Sequence, residues 1–431
     1  MPGMTDLDRT PFTAPQLQAL ARQYGTPLWV YDAATVVRRM QDLRAFDTVR
    51  FAQKANSNIH LLRLMREHGV VVDAVSPGEV QRALAAGYTA APLPGAGDRH
   101  GGGGIVFTAD VLTPDTLALV RQHGIAVNAG SVDMLHQLGQ AAPGSGHPVW
   151  LRINPGFGHG HSNKTNTGGE HSKHGIWHTE LPAALAAIAQ HGLQLVGLHM
   201  HIGSGVDYSH LEQVCQAMVD LVKTSGADVQ AISAGGGLSI PYRPGGDRID
   251  TAHYFSLWDA ARRAVAAHLR HAVHLELEPG RYLVAEAGVL LAEVRATKHQ
   301  GGQHFTLVDA GFSDLMRPAM YGAHHEMSVI PAAGSTPQRP TQATVVAGPL
   351  CESGDVFTQE EGGVVQTRDL PAAQVGDLLA IHDAGAYGAS MSSNYNSRPL
   401  TAEVLVEANG QARLIRRRQT MDELLALELH P

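Results

Sequence analysis

Between residues 50 and 278 the chain alternates short apolar runs with stretches whose apolar positions recur every three to four residues. The short runs, at 50–53, 70–75, 105–107, 125–129, 148–153, 195–200, 229–233 and 274–278, have the length of buried strands. Between them, Ile59, Leu62 and Met65, and later Leu211, Val214 and Met218, share one helical face. Thr113-Pro114 reads as an N-cap followed by a first-turn proline, and Ser209-His210-Leu211-Glu212 as a capping box. Eight strands alternating with helices over roughly 230 residues are what a (β/α)8 barrel needs.

Past residue 278 the texture changes. Runs rich in Val, Leu and Thr at 282–296, 304–309, 343–347, 378–382 and 402–406 are separated by Gly, Pro and Asn turns, the pattern of a mainly β domain. A further strand candidate, 28–31, pairs into that domain before the barrel begins. The expected organisation is a barrel over 33–279 and a β domain built from 1–32 and 280–431. Residues 93–104 are glycine-rich and read as an exposed loop. The run Gly101–Gly104 precedes a strand and not a helix, so it is not read as a phosphate loop.

Composition narrows the partners. A chain of 431 residues with 44% hydrophobic and 17% charged residues fits a soluble globular protein of two domains. Net charge is −8, and the one basic cluster, Arg416-Arg417-Arg418, reads as a solvated strand edge, so nucleic acid is not expected. No apolar stretch approaches the ~18–20 residues that cross a bilayer, and the N-terminus lacks the pattern of a secretory signal. Two cysteines, Cys215 and Cys351, form no disulfide framework, which points to the cytoplasm.

In a barrel, functional groups collect where strands end. The strand ends here carry Lys54, Asp73, Asn128, Arg152, the stretch 199–204, Gly235–Gly237 and Glu278, too polar a set for structural filler. Lys54 can condense with an aldehyde. Gly235, Gly236 and Gly237 let backbone N–H groups approach a phosphate, and Ser204 adds a hydroxyl donor. His201 offers a flat ring for stacking. Glu278 places an acid where it can keep a pyridine nitrogen protonated and the ring an electron sink. Together these are the parts of a pyridoxal 5'-phosphate site.

The chain resembles the fold-type III pyridoxal-phosphate decarboxylases, and within them the branch acting on meso-diaminopimelate. The resemblance rests on residues 24–32 (YGTPLWVYD), 51–58 (FAQKANSN), 73–79 (DAVSPGE), 199–205 (HMHIGSG), 278–281 (EPGR), 317–321 (RPAMY), 348–355 (GPLCESGD) and 383–398 (DAGAYGASMSSNYNSR). It implies an alanine-racemase-like barrel joined to a β domain, in a homodimer with shared active sites. It further implies that Lys54 holds the cofactor, with Asp73 near it. His201, Ser204, Gly235–Gly237, Glu278, Pro279, Gly280, Arg281 and Tyr387 complete the cofactor contacts. Arg281, Arg317, Tyr321, Glu352 and Tyr387 would meet substrate, and Cys351 would donate a proton, with Cys351 and Glu352 arriving from the partner subunit.

The implied reaction is decarboxylation of meso-2,6-diaminopimelate to L-lysine and carbon dioxide, the last step of lysine biosynthesis. Two arginines and an acid suit a distal head group bearing a carboxylate and an ammonium. Alternatives on the same fold are decarboxylases of ornithine, arginine or carboxynorspermidine, an amino-acid racemase, or a non-catalytic regulatory homologue. Gln53 and His174 depart from residues common in the family at their positions. Cys215, on an amphipathic helix, reads as core. The histidine-rich run 158–174 lacks the spacing of a metal site and reads as a loop near the active-site mouth, so no metal is expected.

Overall fold

A computed structural model describes residues 10–91, 103–158, 168–201, 203, 207–332 and 339–429. The chain enters through helix α1 (Ala14–Tyr24) and strand β1 (Leu28–Asp32), then builds the strands β2 (Thr48–Ala52), β3 (Val71–Ala74), β4 (Ile105–Ala109), β5 (Ala126–Ala129) and β6 (Pro148–Asn154). After the two-residue β7 (Ile176–Trp177) come β8 (Gln194–His199), β9 (Ala231–Ser233) and β10 (His274–Leu277). Each of the eight expected barrel strands is present, with ends moved by one or two residues.

The ring runs β2-β3-β4-β5-β6-β8-β9-β10, every pair parallel, and β10 pairs back onto β2 to close it. Parallel strands covered by helices are buried on both faces, which is why β3, β5 and β9 are buried at every residue, their polar members Asp73, Asn128 and Ser233 included. Several crossover helices start where a short polar side chain takes up a free N–H group. Ser76, Thr113 and Ser131 each accept a bond from the amide three residues on. The helix Tyr208–Ser225 departs from expectation: its N-cap is Asp207, whose carboxylate accepts from the amides of Ser209 and His210, so Ser209 lies in the first turn.

One ion pair lies inside the closing seam. Arg50 of β2 meets Glu276 of β10 through Nε–Oε2 at 3.1 Å and Nη2–Oε1 at 3.3 Å, with both side chains 1% exposed. Burial pushes the Glu276 carboxyl up to about 7 even with Arg50 opposing it. Arg50 also reaches the carbonyl of Val72, so it ties three neighbouring strands together.

Past the barrel come β11 (Gly288–Gln300), β12 (Gln303–Val308), β13 (Met327–Ile330), β14 (Thr341–Ala347), the small hairpin β15 (Gln359–Glu360) and β16 (Val364–Val365), then β17 (Arg368–Pro371), β18 (Leu378–Ile381), β19 (Ala402–Val406) and β20 (Ala412–Arg416). All but the separate β15–β16 pair join β1 in a sheet ordered β17-β14-β12-β11-β1-β19-β20, with β18 also on β11 and β13 on β18. As expected, β1 joins this sheet, antiparallel to β11 and parallel to β19. Leu17 and Leu20 of α1 pack with Leu28, Val30, Leu291, Val404 and Val406, all buried, at about 1.5–3 kcal/mol per fully buried side chain.

The expected strand 282–296 is a strand only from Gly288 on; Arg281–Val284 is a single helical turn. Tyr282, Leu283, Val284 and Ala285 are all buried, and an apolar run buried all round carries no period to separate turn from strand. The basic run also differs from a freely solvated edge. Arg416 pairs with Glu403 at 2.9 Å, Arg417 with Glu423, and Arg418 donates to the Pro27 carbonyl at 2.6 Å.

Two compact units result: Met1–Val36, Ile240–Gly246 and Leu283–Pro431 in one, Val37–Ser239 and Asp247–Tyr282 in the other. Among the described residues, no helix is long and apolar enough to cross a membrane. Glu276→Ala should lower unfolding free energy by about 3–5 kcal/mol, because it strands a buried guanidinium. Chemical denaturation of variant against parent measures the shift.

Candidate active site

Because the barrel strands are parallel, their C-terminal ends share one rim, and the polar strand ends assemble there. Lys54 follows β2 in a short 3-10 turn, Gln53–Ala55, with its side chain exposed. Asp73 lies in β3, Arg152 in β6 and His199 at the last position of β8. Glu278 follows β10, and the Glu278 and His199 side chains meet at 2.7 Å between Oε2 and Nε2. A carboxylate only accepts, so His199 donates through Nε2.

The two acids of the rim are driven apart. Burial alone would raise Glu278, but His199 first, then Arg50 and Arg152, bring it below the ordinary carboxylate range. Asp73 goes the other way: burial and then the charge of Glu278 hold it well above that range, against Thr108 and Lys54. Of the two, Glu278 is therefore the one that holds the negative charge more readily. Arg152, itself buried, faces Glu278, Asp73 and Asp110. The His201 imidazolium is pushed well below its usual range by burial and then by Arg152, Lys54 and His199, so the ring is neutral, as a stacking surface requires.

Gly235 and Gly236 pass very close to the segments around Met200 and Glu278. A Cβ at Gly235, whose φ is 60°, would stand 2.4 Å from the Met200 carbonyl oxygen and 2.7 Å from the His201 Cβ. At Gly236 it would stand 2.8 Å from the Glu278 carbonyl oxygen. Only glycine admits this approach. The Pro279 carbonyl accepts from the Ala52 amide at 3.1 Å, tying the Glu278–Gly280 turn to β2 just before Lys54. Ser204 lies outside the described residues, as do residues 159–167 of the histidine-rich run. The rest of that run places His174 Nδ1 2.6 Å from Asp110 Oδ2.

The remaining site candidates lie beyond the barrel strands. Arg281 opens the helical turn Arg281–Val284. In the β unit, Arg317 and Tyr321 bound a five-residue helix, Arg317 buried and Tyr321 half-buried. Tyr387 is half-buried and held at φ 56°, in the left-handed region that costs a bulky residue about 1–3 kcal/mol. Cys351 and Glu352 are both exposed on a loop that Asp355 staples: its carboxylate accepts from the amides of Phe312 at 2.7 Å and Leu350 at 2.8 Å. Asn396 Oδ1 accepts from the Cys351 amide at 2.9 Å. The geometry thus brings Lys54, Asp73, His201, Gly235, Gly236 and Glu278 into one cluster within the barrel, and sets Arg317, Tyr321, Cys351, Glu352 and Tyr387 in the β unit.

Three positions escaped the sequence reading. His199 was counted among polar strand ends but not paired with Glu278. Glu79 accepts from the Val75 amide at 2.8 Å and shares the field of Lys54, and the Ser76-x-x-Glu79 spacing was its signal. His325 stands beside His324 with no motif to mark it.

Residues 33–285 match the family model described as "Pyridoxal-dependent decarboxylase, pyridoxal binding domain". The chain belongs to this family. It is 64% identical to diaminopimelate decarboxylase of Escherichia coli K12 over 97% of this chain and 98% of that one. Against diaminopimelate decarboxylase of Streptomyces coelicolor the identity is 62%, over 100% and 94%. A solved structure described as "Crystal structure of diaminopimelate decarboxylase" superposes with a TM-score of 0.92 at 63% identity, covering 100% of this chain and 99% of that one.

Pyridoxal phosphate is the cofactor of the family, and the rim fits it. The close backbone approach at Gly235 and Gly236 leaves no side chain between peptide groups and a phosphate, Glu278 supplies one buried negative charge, and Lys54 supplies an amine at the same rim. Gly235→Ala should therefore weaken cofactor binding about tenfold or more, equivalent to at least ~1.4 kcal/mol, by displacing Met200 and His201. Titrating the apoprotein with pyridoxal phosphate and following absorbance measures it.

Proposed function

We propose that this chain removes carbon dioxide from meso-2,6-diaminopimelate to give L-lysine, as a pyridoxal-phosphate-dependent carboxy-lyase in lysine biosynthesis. The observation that carries the reading is the buried, ionised Glu278, held by His199 in the charge cluster that contains Lys54. The relatives named above support the substrate assignment through identity along nearly the whole chain. When bound, pyridoxal phosphate supplies an aldehyde that accepts the substrate amine and a ring that takes up the electron pair left as carbon dioxide departs.

The chain's own groups do the rest. Lys54 is the covalent anchor, with Asp73 in the same charge cluster. Glu278 holds negative charge where the ring nitrogen must keep its proton. Neutral His201 is the stacking surface, and Ser204 with Gly235–Gly237 takes the phosphate, while Pro279, Gly280 and Tyr387 contribute further cofactor contacts. Arg281, Arg317 and Tyr321 hold the distal carboxylate of the substrate and Glu352 its distal ammonium, by charge-assisted hydrogen bonds. Cys351 Sγ gives the proton that replaces the lost carboxylate, a role open to a thiol because S–H is a donor.

Two copies form a homodimer in which Cys351 and Glu352 of one protomer serve its partner's barrel. Their joint exposure on a loop locked by Asp355 supports this. The free thiols of Cys215 and Cys351 fit a reducing cytoplasm.

The deciding experiment compares carbon dioxide release from meso-diaminopimelate, ornithine, arginine and carboxynorspermidine, with and without added pyridoxal phosphate. Release from diaminopimelate alone, dependent on the cofactor, is expected; preference for another substrate would overturn the assignment. Lys54→Ala should abolish borohydride trapping of the cofactor, read by mass spectrometry. Arg317→Ala should lower kcat/KM for diaminopimelate about 100-fold or more, since truncating one side of a buried charged contact costs ~2–5 kcal/mol.

A further inference from the structure

We infer that His325 is a positioning residue that fixes the guanidinium of Arg317, and so sets affinity for the distal carboxylate of the substrate; this rests on the proposed role of Arg317. Arg317 Nη1 lies 2.8 Å from His325 Nε2, and His325 Nδ1 lies 2.8 Å from the carbonyl oxygen of His382. A guanidinium can only donate and a peptide oxygen can only accept. The hydrogen-bond roles of His325 are therefore forced: Nε2 accepts from Arg317 and Nδ1–H donates to His382. His325 must be the neutral Nδ1–H tautomer.

The anchor behind His325 is rigid. His382 directly follows β18, its amide donates to the Glu326 carbonyl at 2.9 Å, and its ring Nε2 meets Ser328 Oγ at 2.7 Å. His325 is fully buried. The Tyr242 ring closes another side, with Arg317 Cζ 4.7 Å from its centroid and the His325 ring edge-on at 5.4 Å. The guanidinium is thus held by a hydrogen bond to one aromatic group and by stacking on another.

The choice of an imidazole has a chemical consequence. A carboxylate in the place of His325 would orient Arg317 equally well but would neutralise it and compete with an incoming anion. A neutral acceptor orients the guanidinium and leaves its charge intact. Fixing it beforehand also removes side-chain entropy that carboxylate binding would otherwise have to overcome. His325 touches neither substrate nor cofactor in this account, so its effect belongs in substrate affinity and not in the chemical step.

The test uses the full-length holoenzyme with three variants, His325→Phe, His325→Asn and His325→Gln, each checked for fold by circular dichroism and for bound cofactor by absorbance. Gln can reach both Arg317 and the His382 carbonyl; Asn is polar but too short. Steady-state turnover of meso-diaminopimelate gives kcat and KM, and inhibition by L-lysine is set against inhibition by 1,5-diaminopentane, which lacks a carboxylate. Phe and Asn should raise KM and the inhibition constant of lysine about tenfold or more, equivalent to ~1.4 kcal/mol, with kcat within about threefold. The inhibition constant of diaminopentane should not move, and Gln should restore lysine binding to within about threefold. Unchanged KM in folded, loaded Phe or Asn variants overturns the inference, as does equal loss of lysine and diaminopentane binding. If Phe does not fold, the Gln–Asn contrast decides, and equal values for the two sink the proposal. A parent enzyme inert toward diaminopimelate would instead refute the substrate assignment, while lysine binding would still report on His325.

Discussion

A carboxylate stripped of water is several kcal/mol less stable than one in solution, and a fold that buries one must return that energy through partners. Glu278 is such a group. Its burial would leave it protonated, yet the hydrogen bond from His199 and the charges of Arg50 and Arg152 reverse the outcome. The ionised Glu278 in turn adds to burial in raising Asp73, since like charges sharing one buried field oppose each other. Around the exposed Lys54 the rim thus sets one ionised carboxylate, a second acid raised by burial and by the first, and an imidazole that burial and Arg152 keep neutral. The barrel makes it possible because β8 and β10 each lie beside β9, so that the ends of these nearby strands bring His199 and Glu278 within 2.7 Å of one another.

The barrel was legible because its strands are largely buried on both faces and most crossovers begin with a polar cap, so apolar runs and Ser, Thr, Asn or Asp signals mark the same boundaries. The β unit was legible only where its strands are interior. β19 was read to the residue, since all five of its positions are buried. By contrast, β20 exposes Arg413 and Leu414, and β17 reads Arg-Asp-Leu-Pro, so neither shows the alternation that marks a strand. β13 was missed although mostly buried, because four residues beside the histidine pair at 324–325 are too short a run to stand out.

The site divides in the same way. Lys54, Gly235 and Glu278 announce themselves because a lysine, a glycine triplet and an acid at strand ends have few structural reasons to be there. The partners that set their charge do not. His199, Glu79 and His325 are ordinary polar residues in sequence, and only three-dimensional pairing shows what each does. Charge states belong to clusters, and the members of a cluster here come from positions 79 residues apart, as in His199 and Glu278, or 57 apart, as in His325 and His382.

Histidine appears on both sides of this chemistry in opposite senses. At His199 the ring donates through Nε2 to an anion and helps hold it ionised; at His325 the ring accepts through Nε2 from a cation and leaves it charged. Lys or Arg could not serve in the second place because neither accepts, and Asp or Glu could not serve in the first because neither ionised acid donates. An imidazole does both without adding a permanent charge of its own. At Arg317 that property matters most, because a full counter-ion beside a buried guanidinium would neutralise it and compete with its ligand.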